Sequence, residues 1–253
     1  EATVNRYLKF GLHFDHLYKS GALVNITQKK LLFKNDVASL DFILGDNIRY
    51  NFNYLIDNGL RWSFGAQSKL TKFKHNIRSV SHDIVPIIDY EPNVYNADFI
   101  DFSNRIYIQN YYKNRFLIGL GIEHKYQRFD ANNAPMNKAW IDNSDYLTPY
   151  FTILLDTYDN KYFPTKGVRF SSEIKHFALS SDYNENFEPF SIVNAEIGFA
   201  KTFFNRLSFS FLGDIGFTVG SEPSSNHKFF HGGYGFESLS NIKPFNGYNV
   251  MSL

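Results

Sequence analysis

The sequence contains no cysteine, so it can form neither a disulfide framework nor a thiolate metal site. It also lacks any run of about 18 apolar residues, which excludes a transmembrane helix. No Gly-x-Ser-x-Gly occurs, and this excludes the nucleophile turn on which many lipases depend. The net charge is only +1, which removes any bulk electrostatic attraction to nucleic acid. We therefore expect this chain to be neither an enzyme nor a nucleic-acid binder.

Aromatic residues, in contrast, are abundant. They make up 18% of the chain, with 27 Phe and 17 Tyr against 2 Trp. Phe and Tyr favour β-strands, and aromatic rings also form the interface girdles of outer-membrane barrels. The mean hydropathy of −0.32 is low for a membrane protein. A barrel accounts for this value, because every second residue of each strand faces a polar lumen.

Apolar and polar residues alternate along most of the chain, which is the pattern of strands with one apolar face. The segment 206–219 is the clearest example, since Phe209 and Phe211 alternate with Ser208 and Ser210. The alternation predicts strands near residues 5–16, 21–32, 37–45, 48–56, 60–70, 97–112, 116–129, 147–157, 167–177, 190–202 and 206–219, with a twelfth beginning near Asn249.

The connections between these strands alternate between short and long from the third hairpin on. Short turns are predicted at 57–59, 113–115 and Asn205, and long connections at 71–95, 130–146, 178–189 and 220–248. In outer-membrane barrels the short turns face the periplasm and the long loops face outside. Several predicted strands span roughly 11–16 residues, against about 5–6 in globular proteins. The pattern thus favours an antiparallel transmembrane β-barrel over a soluble all-β scaffold, which would purify without detergent.

One predicted turn has a distinctive sequence motif. It consists of Asp156-Thr-Tyr-Asp159 followed by Phe163-Pro164-Thr-Lys-Gly167, and it follows the eighth predicted strand. Its residue types suit a tight turn, in which the Asp side chains accept backbone hydrogen bonds rather than act as an acid/base pair. The full run resembles the turn between strands eight and nine in the bacterial surface antigen superfamily. That superfamily includes the BAM-complex insertase, two-partner-secretion transporters and the barrels of patatin-like phospholipases.

A second segment lies in the long connection after the eleventh strand. It resembles the sixth extracellular loop of the superfamily, which folds back into the lumen and carries a Val-Arg-Gly-Tyr-like tip. Asn246 replaces the Arg that pairs with an acidic residue in the family, and a neutral amide is a weaker partner. The sequence of this segment is most similar to that of the barrels of patatin-like phospholipases from Bacteroidetes. The matching residues are Gly232, Gly233 and Gly235 in the loop motif and Phe245, Asn246, Gly247 and Tyr248 at the tip.

The resemblance implies the domain organisation. The family barrel has sixteen strands, and strands one to about twelve are present here. Residues 1–253 are thus expected to form an outer-membrane barrel domain that is incomplete at its C-terminus. No signal peptide begins at Glu1, so the natural N-terminus and a soluble domain are expected upstream of it.

Charged residues on the polar strand faces are expected to line the lumen. They could form a mixed-charge channel for a passing polypeptide, or they could simply keep the lumen hydrated. A solvated loop is expected for His227 and His231 rather than a metal site, and close packing is expected at Gly119 and Gly121 rather than a nucleotide loop. The candidate lumen-facing charges are Arg49, Arg61, Glu123, Lys125, Arg169, Glu173, Glu196 and Asp214.

The resemblance supports two functional hypotheses, both set in the bacterial outer membrane. In the first, the chain is the membrane anchor or translocation unit of an upstream patatin-like phospholipase. In the second, it is an insertase or polypeptide transporter with periplasmic adaptor domains, in which the tip at 245–248 gates the lumen. Either hypothesis implies outer-membrane lipid and a passenger or client polypeptide as partners. No catalytic residue, metal or cofactor is expected in this chain.

Overall fold

A computed structural model describes residues 5–15, 19–78, 94–132, 141–182, 185, 187–204, 206–223, 227, 229–231 and 242–243. Its main feature is one antiparallel sheet in which each long strand pairs with the next one along the chain. The strands are β1 (Arg6–Asp15), β2 (Lys19–Lys29), β3 (Asp36–Gly45), β4 (Arg49–Ile56), β5 (Ser63–Arg78), β6 (Val94–Tyr112), β7 (Phe116–Asn132), β8 (Ile141–Asp156), β9 (Gly167–Phe177), β10 (Leu179–Ser180), β11 (Phe190–Phe203) and β12 (Leu207–Gly220).

Three short elements complete the described structure. The two-residue β10 pairs with β8, whereas β13 (Phe230–His231) and β14 (Ile242–Lys243) pair with each other in parallel. None of the described residues belongs to a helix that could cross a membrane. The predicted all-β antiparallel architecture is therefore confirmed, and each of the eleven predicted strands corresponds to a long strand of the sheet.

Two of the predicted long connections are wrong in extent. β5 continues to Arg78 and β6 starts at Val94, while β7 continues to Asn132 and β8 starts at Ile141. The backbone ladder persists there, although Lys72 and Lys74 make the outer face polar and the apolar side chain Phe73 is buried on the inner face instead. Hydrophobic alternation marks only the part of a strand that has an apolar face, so it could not reveal these extensions.

The outer face of the sheet carries a continuous apolar band. The strand register aligns Phe10 with Val24, and it aligns Phe64 with Ile108 on the same face. These side chains are not covered by protein, since Phe10 is 74% exposed and Leu120 is 50% exposed. A contiguous exposed apolar surface of this kind is what a membrane-spanning sheet presents to lipid.

The inner face is polar and concave. Arg105 on β6 reaches Glu173 on β9, with a distance of 3.1 Å between Nη1 and Oε2. These strands are three positions apart, which is about 14 Å in a flat sheet at the usual strand spacing. The contact therefore requires the sheet to curve around this face. Thr148 and Glu123 are buried there, together with aromatic side chains such as Phe73 and Phe177, so the buried charged groups lie on the inner face and the exposed apolar band lies on the outer face.

The short turns lie at one end of the sheet. Lys113 and Asn114 both have positive φ, at 50° and 53°, as a two-residue type I′ hairpin turn requires. The turn predicted at 57–59 is longer than expected, because β5 begins only at Ser63. Asn205 and the predicted twelfth strand lie outside the described residues.

Candidate functional site: the inner face of the sheet

Four buried or half-buried ions form a closed ring on the inner face. Arg105 Nε lies 3.2 Å from Glu123 Oε1, and Arg105 Nη1 lies 3.1 Å from Glu173 Oε2. Lys175 Nζ completes the ring at 3.2 Å from Glu123 Oε2 and 3.2 Å from Glu173 Oε1. Each charge therefore contacts two charges of the opposite sign. Such pairing is what allows the Glu123 carboxylate, only 1% exposed, to stay ionised.

A second ionic contact lies next to the ring, toward the long-loop end. Lys125 Nζ is 2.9 Å from Asp101 Oδ2, and Gln127 Nε2 donates to the same oxygen at 3.0 Å. The Arg105 guanidinium also stacks over the Tyr150 ring, 4.9 Å from its centroid. This part of the wall, on β6 to β9, thus consists of a compact, charge-balanced network.

Another cluster occupies the inner face near the short turns. Arg169 Nε lies 2.8 Å from Glu196 Oε1 on β11, and Arg169 Nη1 lies 3.6 Å from Asp156 Oδ2 at the end of β8. These side chains are about one-third exposed, so this cluster is more hydrated than the ring.

The segment after β12 returns to the inner face. His227 is 3% exposed, and its ring lies 4.6 Å from Phe177 and 5.0 Å from Tyr146, centroid to centroid. Burial, aided by the positive charges of Lys125 and Lys175, lowers the pKa of His227 well below its usual value. The expectation of a solvated loop at His227 is therefore wrong, because the loop inserts this side chain among aromatic rings of the wall.

Two further contacts fix the same loop. The Phe229 ring lies against Gly216 on β12, in space that a Cβ at position 216 would fill. Lys243 Nζ on β14 lies 2.8 Å from Asp214 Oδ1, also on β12. The loop thus carries a cation, Lys243, to the inner face of β12.

Comparison with known proteins assigns the family. A sequence profile described as the OMP85 superfamily matches residues 1–253. The chain belongs to the OMP85 superfamily. A solved structure of BamA from Haemophilus ducreyi lacking POTRA domains 1–3 superposes with a TM-score of 0.67 at 14% sequence identity. The match covers 91% of this chain and 45% of that one, so it shows a shared barrel fold over about half of the other chain. No curated protein matches significantly.

The turn at 156–167 is ordered by its two aspartates. Asp156 Oδ1 accepts the Tyr158 amide at 3.0 Å. Asp159 accepts the Thr165 hydroxyl and the amides of Thr165 and Lys166. These bonds, the Thr165 hydroxyl first, lower the pKa of Asp159 to about 2. The geometry favours the turn-ordering interpretation over an acid/base pair.

The rest of the turn motif has distinct structural roles. Gly167 has a φ of 117°, and a Cβ there would collide with the carbonyl oxygen of Thr157, so glycine is required. Pro164 lies in the turn, and Phe163 projects from it with 82% of its surface exposed. The turn thus joins β8 to β9 in an ordered conformation and presents an aromatic side chain.

Seven of the eight candidate lumen-facing residues lie on the inner face of the sheet. Glu123, Lys125 and Glu173 come together in the buried network, and Arg169 and Glu196 form the second cluster, as described above. Asp214 binds the returning loop, and Arg49 lies on the inner face of β4. The prediction that Arg61 faces the lumen is wrong. Arg61 lies exposed in the turn before β5, where its amide donates to the Asn58 carbonyl.

Sequence reasoning missed Arg105 and Asp101, although both occupy the polar face of β6 and share it with Ser103. A charge on the polar face of a long strand was the signal that could have identified them. Gly232, Gly233, Gly235 and the tip residues Phe245, Asn246, Gly247 and Tyr248 lie outside the described residues. Among the residues that the structure describes, no group of three or more potential ligands is placed to hold a metal ion.

Proposed function

We propose that this chain is the outer-membrane barrel of a polypeptide translocation or insertion device, and that its own loop occupies the lumen at rest. The observation that carries this proposal is the docking of the segment after β12 on the inner wall. His227 inserts among aromatic rings, and Lys243 pairs with Asp214. A loop held inside the barrel closes it, and movement of that loop opens it.

The chemistry of the wall supports a polypeptide as cargo. The inner face carries both signs of charge, and the described ions of the buried ring are paired with one another. A wall of one sign would attract segments of the opposite charge and repel the rest. A balanced, hydrated wall lets a chain of mixed sequence pass without strong binding.

The contacts that hold the loop on the inner wall are weak enough to break. Asp214 and Lys243 are partly exposed, and ion pairs of this kind contribute about 1 kcal/mol or less. The burial of His227 adds an apolar contact. Together they hold the loop in place without making its displacement prohibitively slow.

A reversible cross-link tests the gating role. These 253 residues contain no cysteine, so the double variant Asp214→Cys/Lys243→Cys offers two defined thiols in the barrel. A short bis-methanethiosulfonate forms one disulfide with each thiol and releases methanesulfinate. The resulting cross-link should suppress the ion conductance of the full-length protein in planar lipid bilayers, and reduction should restore it. The single variants, treated identically, should keep their conductance. An unchanged conductance after complete cross-linking would show that the loop is not the gate.

The passenger we propose is an upstream patatin-like phospholipase, for which the resemblance of residues 229–248 to those barrels is the support. Intact mass and peptide mapping of the native protein test this assignment. An upstream segment with Gly-x-Ser-x-Gly is the expected result. Periplasmic adaptor repeats in its place would make the barrel an insertase or polypeptide transporter instead, and would leave the gating proposal untouched.

A further inference from the structure

An open groove lies at the short-turn end of the sheet, on the side of β4 to β6. Its volume is about 840 Å³, within the usual range of small-molecule sites. It belongs neither to the inner charged network nor to the docked loop. The lining residues are Asn35, Asp57, Asn58, Leu60, Arg61, Trp62 and Asn110.

Side-chain amides hold the walls of the groove together. Asn35 Nδ2 donates to the Asp57 carbonyl at 2.6 Å and to Asn58 Oδ1 at 2.8 Å, which joins the turn before β3 to the turn before β5. Asn110 Nδ2 donates to the Leu60 carbonyl at 3.1 Å, which joins the second turn to β6. The groove is therefore preformed, because three separate segments are fixed relative to one another.

An available cation in the groove and further cations around it suit an anion. Within the described part of the chain, the Arg61 guanidinium has no carboxylate partner, and its side chain is exposed. Asp57 is the acidic residue of the lining and offsets Arg61 in formal charge, but its Oδ1 accepts the Gly59 amide at 2.8 Å within its own turn. The neighbouring short turns add Lys30, Lys34 and Lys113, so the potential around the groove is positive.

One side of the groove continues into the lipid-facing band. Leu60 and Trp62 precede Phe64 at two-residue intervals, and all three side chains are exposed. Phe64 is paired with Ile108, which is exposed on the same face. An apolar track thus leads from the groove along the outer surface, where an acyl chain lies in a membrane.

We propose that this groove binds the phosphate headgroup of a glycerophospholipid from the leaflet at the short-turn end. Arg61 contacts the phosphate oxygens, and one acyl chain lies along Leu60, Trp62 and Phe64. The combination of a cation, a preformed polar groove and an apolar track matches a phosphodiester that carries a hydrocarbon chain. Inorganic phosphate has the same anionic group but lacks the chain.

Trp62 is a natural probe of the site. The full-length protein is held in a neutral detergent, and a phosphatidylglycerol brominated on its acyl chains is titrated in. The signal of Trp62 is obtained as the difference between the protein and its Trp62→Phe variant. We expect saturable quenching of that signal, and Arg61→Gln should weaken the apparent affinity roughly tenfold, because it removes a charge-assisted hydrogen bond. The matched control is Arg206→Gln, on another short turn at the same end of the sheet, which should leave the affinity unchanged.

Two further titrations distinguish binding through the phosphate from binding through the acyl chain. Brominated diacylglycerol, which lacks the phosphate, should quench far less at the same concentration. Inorganic phosphate should compete weakly, since it offers nothing to the apolar track. Equal quenching by diacylglycerol, equal loss in the two Arg variants, or displacement of the lipid by inorganic phosphate at comparable concentration would each overturn the assignment.

Discussion

The first four strands and the next four differ in how their inner faces are built. β1 to β4 contain 10, 11, 10 and 8 residues, whereas β5 to β8 contain 16, 19, 17 and 16. On the shorter side, the inner face carries part-buried contacts between polar side chains, such as Asn25 Nδ2 to Asp41 Oδ1 at 2.6 Å. On the longer side, the inner face holds the buried ring of Arg105 and Glu123 with their partners.

The longer strands also project past the lipid-facing band. On the outer face, Ile122 of β7 is followed two residues later by His124, which lies 2.9 Å from Asp145 of β8. An ion pair or hydrogen bond at that position belongs in water or among headgroups rather than in hydrocarbon. We therefore expect a firm wall from β5 to β9, where the buried ring lies, and a more deformable wall from β1 to β4, whose strands are shorter.

The largest expected effect comes from breaking the buried ring. Glu123→Gln removes the carboxylate shared by Arg105 and Lys175 and leaves both cations underpaired. The expected loss is about 3 kcal/mol of unfolding free energy, as for other buried pairs that lose one partner. Urea unfolding of the full-length protein in detergent measures it.

The matched change on the wall formed by β1 to β4 is Asp41→Asn. That carboxylate is only partly buried and accepts one amide, so its replacement should cost less than about 1 kcal/mol. Equal losses in the two variants would remove the proposed difference between the walls.

A smaller effect is expected from packing on the firm wall. A Cβ at Gly121 would lie 2.6 Å from the Tyr150 ring and 2.7 Å from the Ile106 carbonyl oxygen. Gly121→Ala should therefore cost about 1–3 kcal/mol, measured by the same unfolding experiment. Gly119→Ala is the control, since its Cβ would find nothing closer than 3.5 Å, and it should be nearly neutral.

These contacts show which features of the structure the sequence alone could predict. Period-two alternation assigned the two faces correctly for Phe209 and Glu123, because it reports one strand at a time. The ring could not be predicted, since Arg105 and Glu173 are 68 positions apart and meet only when the sheet curves. The burial of His227 has the same origin: nothing within the loop sequence specifies which wall it will reach.

The same limit applies to the glycine pair. The Gly119-Leu-Gly121 spacing predicted close packing at both glycines, but only Gly121 lies beneath a tyrosine ring. Which cross-strand neighbour is large depends on the register with β8, and the alternation of one strand does not contain that register.

The smallest effect concerns the short turns, where the two walls again differ. The turn before β3 is ordered by buried Asp36, which accepts the amides of Leu31, Leu32 and Phe33. The turn before β9 is ordered by Asp159, which is exposed. Solvent protons reach Asp159 directly, so this turn should respond locally to acid.

The expected response follows from the depressed pKa of Asp159, which is about 2 in the folded turn against an ordinary 3.8. The ionised form is stabilised by folding, so its contribution is complete above about pH 4 and is lost as the pH falls toward 2. Amide hydrogen exchange at Thr165 and Lys166, corrected for intrinsic rates, should accelerate over that interval. The turn at 113–115 contains no carboxylate and should keep its protection. If both turns opened together, the acid would be acting on the whole barrel, and Asp159 would not be the group that orders this hairpin.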